Sequence, residues 1–358
     1  MDDILIVGAS GEVGRWVARE LFSDHPQRLV LGGRRLQAVA ELAASLGGSV
    51  RAVALDVRDQ ASVAEALPRV GVVLSCANDA GRTVLRACVE RGIAYTDITP
   101  HLAELQAAGD DSLEGLRLAA ARSGARVVLG AGLVPGLSSV MAREARDRLG
   151  VGPRIETALL LTVGDVYGPA SLQYILEEAT RPFKSDGECV WPFSKSAKVQ
   201  FPDSRRLRAA YRFPFSDQFF FGRTLGALSA NSTLSLDPVW VGWIAAMYLR
   251  LSPTRFNQNV RVQRALLWAV GKLGHRRGGS GRYALVVTAS VPERRVRASV
   301  SGQRQARGTA MAAAAAVRAL AEGEVARSGA WFPEEVLQPE TFFARLKKCG
   351  LRVHVEEA

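Results

Sequence analysis

Gly8, Gly11 and Gly14 stand at the end of the apolar run Ile4-Leu5-Ile6-Val7 and at the head of a helix-like stretch through Val17. That spacing suits one task above others, which is to hold a pyrophosphate on backbone amides. The first glycine lets the chain turn off a strand, the second lacks the Cβ that would keep phosphates at a distance, and the third lets helix and strand pack closely. Free N–H groups and the positive dipole end of the helix then face the anion. Gly8, Ala9, Ser10, Gly11, Glu12, Val13 and Gly14 are therefore read as a dinucleotide cradle. A second apolar run, Arg28-Leu29-Val30-Leu31, ends in Gly32-Gly33-Arg34-Arg35. An acid at that strand end would hydrogen-bond the adenosine ribose of NAD, but two arginines stand there, and a guanidinium matches a phosphate bidentately. Arg34 and Arg35 point to NADP(H), unless they only open a solvated helix.

Proton chemistry has fewer candidates. A tyrosine four residues before a lysine, whose ammonium lowers the phenol pKa, would be one solution. No lysine precedes Lys184, and the residues four places after the tyrosines are Thr99, Ser171, Glu178, Phe215, Ser252 and Val287. The short-chain reductase mechanism is thereby excluded. Tyr95, Asp97 and His101 lie together near a strand end and could relay a proton; a packed Tyr, a capping Asp and a surface His are the structural alternatives. Hydride transfer to an iminium carbon asks mostly for proximity and a held cofactor, because the protonated imine is already an electrophile. Arg181 and Arg223, the latter beside Phe219-Phe220-Phe221, could bind substrate carboxylates bidentately.

Elements that position these residues follow from the alternation of short apolar runs with helical patterns. Strands are expected at Val50–Leu55, Val70–Leu74, Ala94–Asp97 and Ala125–Leu129, with helices over Leu36–Leu46, Ser62–Leu67, Gly81–Arg91 and Leu102–Ala121 between them. Such alternation builds a parallel sheet with helices on both faces, and ligands bind beyond the carboxyl ends of its strands. That rule gathers Asp56-Val57, Cys76-Ala77, Asp97–His101 and the turn Gly130–Gly136 on the cofactor edge. Asp56 and Val57 would sit by an adenine or cap the next turn. Pro135 and Gly136 either contact the nicotinamide or link two domains.

From about Ile155 the texture changes, with a strand at Ile155–Val163, short pieces among the Phe, Pro and Arg of 181–229, and a hairpin from Tyr283–Ser290 and Arg295–Ser301. The apolar segments Val239–Leu251 and Val262–Leu273 are too short to span a bilayer. Core or dimer-interface helices are one reading, a membrane-surface role the other. Thr309–Leu320 and Pro333–Cys349 complete the helical count.

With 358 residues and 48% hydrophobic content, the chain has room for more than one core. Its net charge of +11 comes without basic runs interleaved with aromatics, which argues against nucleic acid and suits an anionic cofactor and acidic substrate. Cys76, Cys88, Cys189 and Cys349 form no CxxC pair, so no zinc site or disulfide framework is expected. A reduced, cytoplasmic setting without a transmembrane segment is the expectation.

Four segments resemble the saccharopine dehydrogenase-like oxidoreductases: Gly8 to Gly14, Ala94-Tyr95-Thr96-Asp97, Gly130 to Ser138 around Pro135-Gly136-Leu137, and Thr309–Gly323 followed by Gly329-Ala330-Trp331-Phe332-Pro333-Glu334. Many members carry Asp-Pro-Gly where this chain has Val134-Pro135-Gly136. The resemblance implies an α/β fold: a Rossmann-type doubly wound parallel sheet with an inserted α+β domain on a mixed sheet. The implied domains are 1–134 for NADP, 135–302 for substrate and dimerisation, and C-terminal helices over 303–358 that return to the first domain. It implies NADPH-dependent reduction of a C=N bond in an amino-acid-derived, carboxylate-bearing small molecule, by a homodimer. A trans-acting enoyl reductase and a non-catalytic NADP-binding partner protein are the alternatives.

Overall fold

The computed structural model describes residues 2–79, 81–98, 112–150, 152–162, 174–175, 177–185, 187–202, 204, 206–251 and 281–357. In chain order the strands are β1 (Asp3–Val7), β2 (Leu29–Gly33), β3 (Arg51–Ala54), β4 (Val70–Ser75), β5 (Ala94–Asp97), β6 (Arg126–Val128), β7 (Arg154–Thr162), β8 (Phe183–Ser185), β9 (Glu188–Val190), β10 (Ser196–Val199), β11 (Arg208–Arg212), β12 (Ser229–Asp237), β13 (Arg282–Val291), β14 (Arg294–Gln303), β15 (Gly329–Trp331) and β16 (His354–Glu357). The principal helices are α1 (Glu12–Phe22), α2 (Leu36–Leu46), α3 (Gln60–Ala66), α4 (Thr83–Glu90), α5 (Leu113–Ser123), α6 (Leu137–Leu149), α7 (Val239–Leu251), α8 (Gln305–Ala321) and α9 (Pro339–Lys348). Two compact units result, one from Met1–Val140 with Thr309–Gly350 and one from Met141–Gly308 with Leu351–Ala358.

The first unit holds a seven-stranded parallel sheet in the order β15-β6-β5-β4-β1-β2-β3. Strand order reverses at β1, which lies between β2 and β4, and a crevice for a ligand forms at such a reversal. Ile4, Leu5 and Ile6 are buried completely, as a parallel strand covered on both faces requires. Register aligns the strand ends in one row, since Gly32 and Ser75 both pair with Val7, and Asp97 pairs with Ser75. The edge strand β15 comes from the C-terminal segment. The guanidinium carbons of Arg117 and Arg327 lie over its Trp331 ring, 4.9 and 3.6 Å from the centroid. Arg117 also donates to the Ala330 carbonyl at 2.9 Å and to both Glu335 oxygens, at 2.8 and 2.7 Å.

The second unit holds a mixed sheet in the order β10-β11-β12-β7-β13-β14-β16, in which β7 and β12 run parallel and the other neighbours antiparallel. One face carries the cluster Ala158, Leu160, Phe201, Ala284 and Val286. The phenylalanine-rich stretch is tied to β12 by Gln218, whose Nε2 donates to the carbonyls of Phe213 at 3.0 Å and Phe215 at 2.9 Å while its Oε1 accepts from Ser232 N at 3.2 Å. Tyr283 on β13 packs where two glycines leave room: a Cβ on Gly302 would come 2.8 Å from its ring Cζ, and one on Gly308 would meet its hydroxyl.

The expected hairpin is present as β13 and β14 around Pro292-Glu293. The helix expected over Leu102–Ala121 is α5, Leu113–Ser123, with 99–111 outside the described residues. Segment Val262–Leu273 also lies outside them. Gly302→Ala is expected to cost about 1–3 kcal/mol, the range for overpacking a filled site. Chemical denaturation at neutral pH measures it.

Candidate active site: the carboxyl edge of the first sheet

Gly8 takes a positive φ of 77° that turns the chain off β1, and a Cβ there would lie 3.1 Å from Ala77 N. Cys76 and Ala77 thus form the wall against which the turn is built, and Cys76 N donates to the Val7 carbonyl at 2.9 Å. Gly14 faces inward, where a Cβ would overlap the Gly8 carbonyl oxygen and come 2.8 Å from Ala9 Cα. Gly11 differs. It is the exposed, extended N-cap of α1, makes no side-chain cap, and a Cβ on it would meet only Gly8 O, at 3.1 Å. The first turn of α1 therefore offers its amides on an open side with no side chain serving them. A diphosphate fits that cradle on both steric and electrostatic grounds.

At the end of β2, Gly32 and Gly33 are buried while Arg34 and Arg35 are exposed. Gly32 O accepts from Gly8 N and Ala9 N at 2.9 and 3.1 Å, which joins this strand end to the cradle. Asp56 accepts from Arg58 through its backbone N, Nε and Nη2, at 3.1, 3.0 and 2.6 Å. These hydrogen bonds hold its carboxyl down at about 2, with the charge of Arg34 helping. Asp56 thus closes its own turn, and Val57 follows it there.

Asp97 ends β5 in the row that includes Val7 and Ser75. Its Oδ1 accepts from Gly130 N at 2.7 Å, Oδ2 accepts from Tyr95 Oη at 3.4 Å, and its carbonyl accepts from Ala131 N at 2.6 Å. Burial pushes the Asp97 carboxyl up to about 7; the Gly130 and Tyr95 hydrogen bonds and Arg82 oppose this, and Asp79 adds to it. Asp79 is buried and accepts from Thr83 N and Val84 N, both at 2.9 Å, at the head of α4. The Tyr95 phenol is pushed up by burial, and burial also raises the Cys76 thiol to about 12, so both stay protonated at neutral pH. Asp97 is consequently the group in this row poised to exchange a proton near neutrality.

The turn after β6 is packed on itself. Gly136 has φ 122°, and a Cβ there would overlap the backbone N and O of Gly132. Leu137 N donates to Gly132 O at 2.9 Å, and Ser138 N to Leu133 O at 3.1 Å. The missing side chain of Gly136 thus makes room for the chain's own backbone. The turn, expected on this edge, reaches Asp97 through the backbone amide of Gly130.

His101 lies outside the described residues. Arg181 and Arg223 belong to the second unit and are exposed. Phe220, the N-cap of the short helix Phe221–Thr224, and Phe221, its first residue, are buried, while Arg223 is exposed.

Two outcomes follow from this geometry. Gly11→Ala should leave the apo fold within about 1 kcal/mol yet weaken dinucleotide binding by about tenfold or more, whereas Gly14→Ala should destabilise the fold itself; calorimetric titration and thermal melting separate the two. The folded Asp97 carboxyl titrates above the unfolded one, so the folded state binds the extra proton between the two pKa values and loses stability as pH rises toward about 7. Asp97→Asn, which keeps an acceptor for Gly130 N, should gain on the parent by roughly 1–4 kcal/mol between about pH 5 and pH 8, at about 1.4 kcal/mol per unit. Paired denaturation curves at the two pH values test it.

Residues 4–132 match the model of the saccharopine dehydrogenase NADP binding domain. The spectinabilin polyketide synthase system protein NorA′ of Streptomyces orinoci is 33% identical over 28% of this chain, and the chain spans 3% of its length. Apo saccharopine dehydrogenase (L-Glu forming) from Saccharomyces cerevisiae superimposes with a TM-score of 0.68 at 14% identity, each chain covered to 100%. The homospermidine synthase of Legionella pneumophila, solved with NAD, gives a TM-score of 0.62 at 12% identity over 100% of this chain and 91% of that one. At these identities the two structures establish the fold. Residues 4–132 are thus matched to a saccharopine dehydrogenase NADP binding domain, with a nicotinamide dinucleotide as cofactor, and the chain has the fold of saccharopine dehydrogenase.

Proposed function

We propose that the chain is an NADPH-dependent reductase of a C=N bond in an amino-acid-derived, carboxylate-bearing substrate, acting as a cytoplasmic homodimer. The observation that carries the reading is the alignment of Asp97 with the end of β1, which places a carboxyl titrating near neutrality in the same row as the dinucleotide cradle. NADPH supplies the hydride that makes the new C–H bond. The amides of the α1 first turn hold the pyrophosphate, and Arg34 and Arg35 take the 2′-phosphate. Ala9, Ser10, Cys76 and Ala77 shape the floor beneath the dinucleotide. Gly130 N and Tyr95 Oη hold Asp97, whose proton can pass to the substrate nitrogen when the imine arrives neutral; an iminium already carries it. Arg181 and Arg223 are the proposed carboxylate partners.

A second reading, reduction of an enoyl C=C bond, is favoured by the likeness to a polyketide synthase system protein and by Val134 standing where many relatives have an acid. There the hydride goes to one alkene carbon and a proton must reach the other, so Asp97 would have to enter each turnover protonated, give up that proton and be reprotonated from solvent afterwards.

NADPH consumption with amine–carbonyl pairs and with enoyl thioesters decides between them. Turnover of the first panel supports imine reduction, and turnover of only the second overturns it. Tight NADPH binding without either leaves a non-catalytic binding protein. Replacing Arg34 and Arg35 together by Ala should weaken NADPH by about 1–3 kcal/mol while NADH is little changed; equal losses for both would overturn the 2′-phosphate assignment.

A further inference from the structure

We propose that Arg58 is a third ligand for the 2′-phosphate of the dinucleotide, its guanidinium held for that anion by Asp56. The pair is side-on: Asp56 Oδ1 accepts from Arg58 Nε at 3.0 Å, and Oδ2 accepts from Nη2 at 2.6 Å. That arrangement uses Nε–H and one proton of Nη2. Both protons of Nη1 and the second of Nη2 remain, and they form the other bidentate edge of the planar fork. The Arg58 side chain is 73% exposed, and Asp56 is its partner among the described residues. The turn that carries it is fixed on both sides. Asp56 N donates to Ser62 Oγ at 3.1 Å, and Asp59 caps α3 by accepting from Ala61 N at 2.9 Å. A guanidinium so tethered has little side-chain freedom left to lose when it meets an anion.

Strand register sets this turn beside the arginines that follow β2. Gly33 pairs with Ala54, and Leu55 N donates to the Gly33 carbonyl at 3.1 Å, so Arg34 and Arg35 leave β2 alongside Leu55 and Asp56. The charge of Arg34 reaches the Asp56 carboxyl. On the other flank, a Cβ on Gly33 would lie 3.7 Å from Ser10 Oγ in the cradle. Arg34 and Arg35 are exposed and form no hydrogen bond or ion pair among the described residues. Three guanidiniums thus gather at one strand end against a single carboxylate. A phosphate monoester, with a charge of about −1.5 to −2 at neutral pH, matches that excess, whereas the ribose diol of NAD carries no charge to meet it. Asp56 stays ionised down to about pH 2, so the tether holds over the working range. The inference rests on the assignment of the 2′-phosphate to this strand end and adds a ligand from the turn after β3.

Calorimetric titration of the full chain with adenosine 2′,5′-bisphosphate and with adenosine 5′-monophosphate tests it, since the two differ by the 2′-phosphate alone. The parent should bind the bisphosphate more tightly. Arg58→Ala should weaken the bisphosphate by about tenfold or more and the monophosphate by less than about twofold, with the thermal midpoint kept. Arg58→Lys should regain only part of the loss, because an ammonium keeps the charge without the second bidentate edge. A selective parent whose preference survives Arg58→Ala overturns the role of Arg58 and leaves the phosphate to Arg34 and Arg35. Equal losses for both ligands overturn it too, and make Arg58 a structural residue of its turn. Full recovery by Arg58→Lys overturns the forked edge. A parent indifferent to the 2′-phosphate overturns the assignment of that group to this strand end, and the proposal with it.

Discussion

A helix start that no side chain satisfies is the constraint around which the first unit is arranged. An α-helix leaves its first amides unpaired, and most helices answer with a Ser, Thr, Asp or Asn cap. Here α1 opens on Gly11, whose open side leaves those amides facing outward. The helix can hold that position only because Gly14 sits against the Gly8 carbonyl, and Gly8 against Cys76-Ala77. Steric necessity thus locks β1, α1 and β4 into one body, and an anion completes what the chain leaves undone. A ligand of this kind also stabilises the fold it binds.

Charge is graded along the same sheet edge. Positive groups collect on one side of β1, in the α1 start and in Arg34 and Arg35. On the other side lies Asp97, kept near neutrality by burial and steadied by a backbone amide from beyond β6. Both ends are set by strand register, which brings Gly32, Val7, Ser75 and Asp97 into one row from positions far apart in sequence.

Much of this was legible in the residues. Parallel strands covered on both faces give unbroken apolar runs, so the alternation through residue 129 showed the sheet and its ligand edge, and the glycine triplet showed the cradle. Long-range pairing left no such trace. The partner of Asp97 is the amide of Gly130, and an amide has no residue type to read. Gly136 carried a real signal, a backbone that must come close to something, and the backbone of Gly132 is one such neighbour. β15 and β16 are too short to show alternation, and β16 carries charged residues along an edge. In α7 hydropathy reads as core, yet the small residues took the inside and left the large ones out.

The placement of β15 and β16 has a consequence for how the protein is made. The outermost strand at one edge of each sheet is supplied by residues 329–357, so a nascent chain still missing that stretch presents two open edges. The β6 edge lacks the covering of Trp331 and Ala330, and β14 exposes its ladder. Neither sheet is complete until residues 329–357 have been added to the chain.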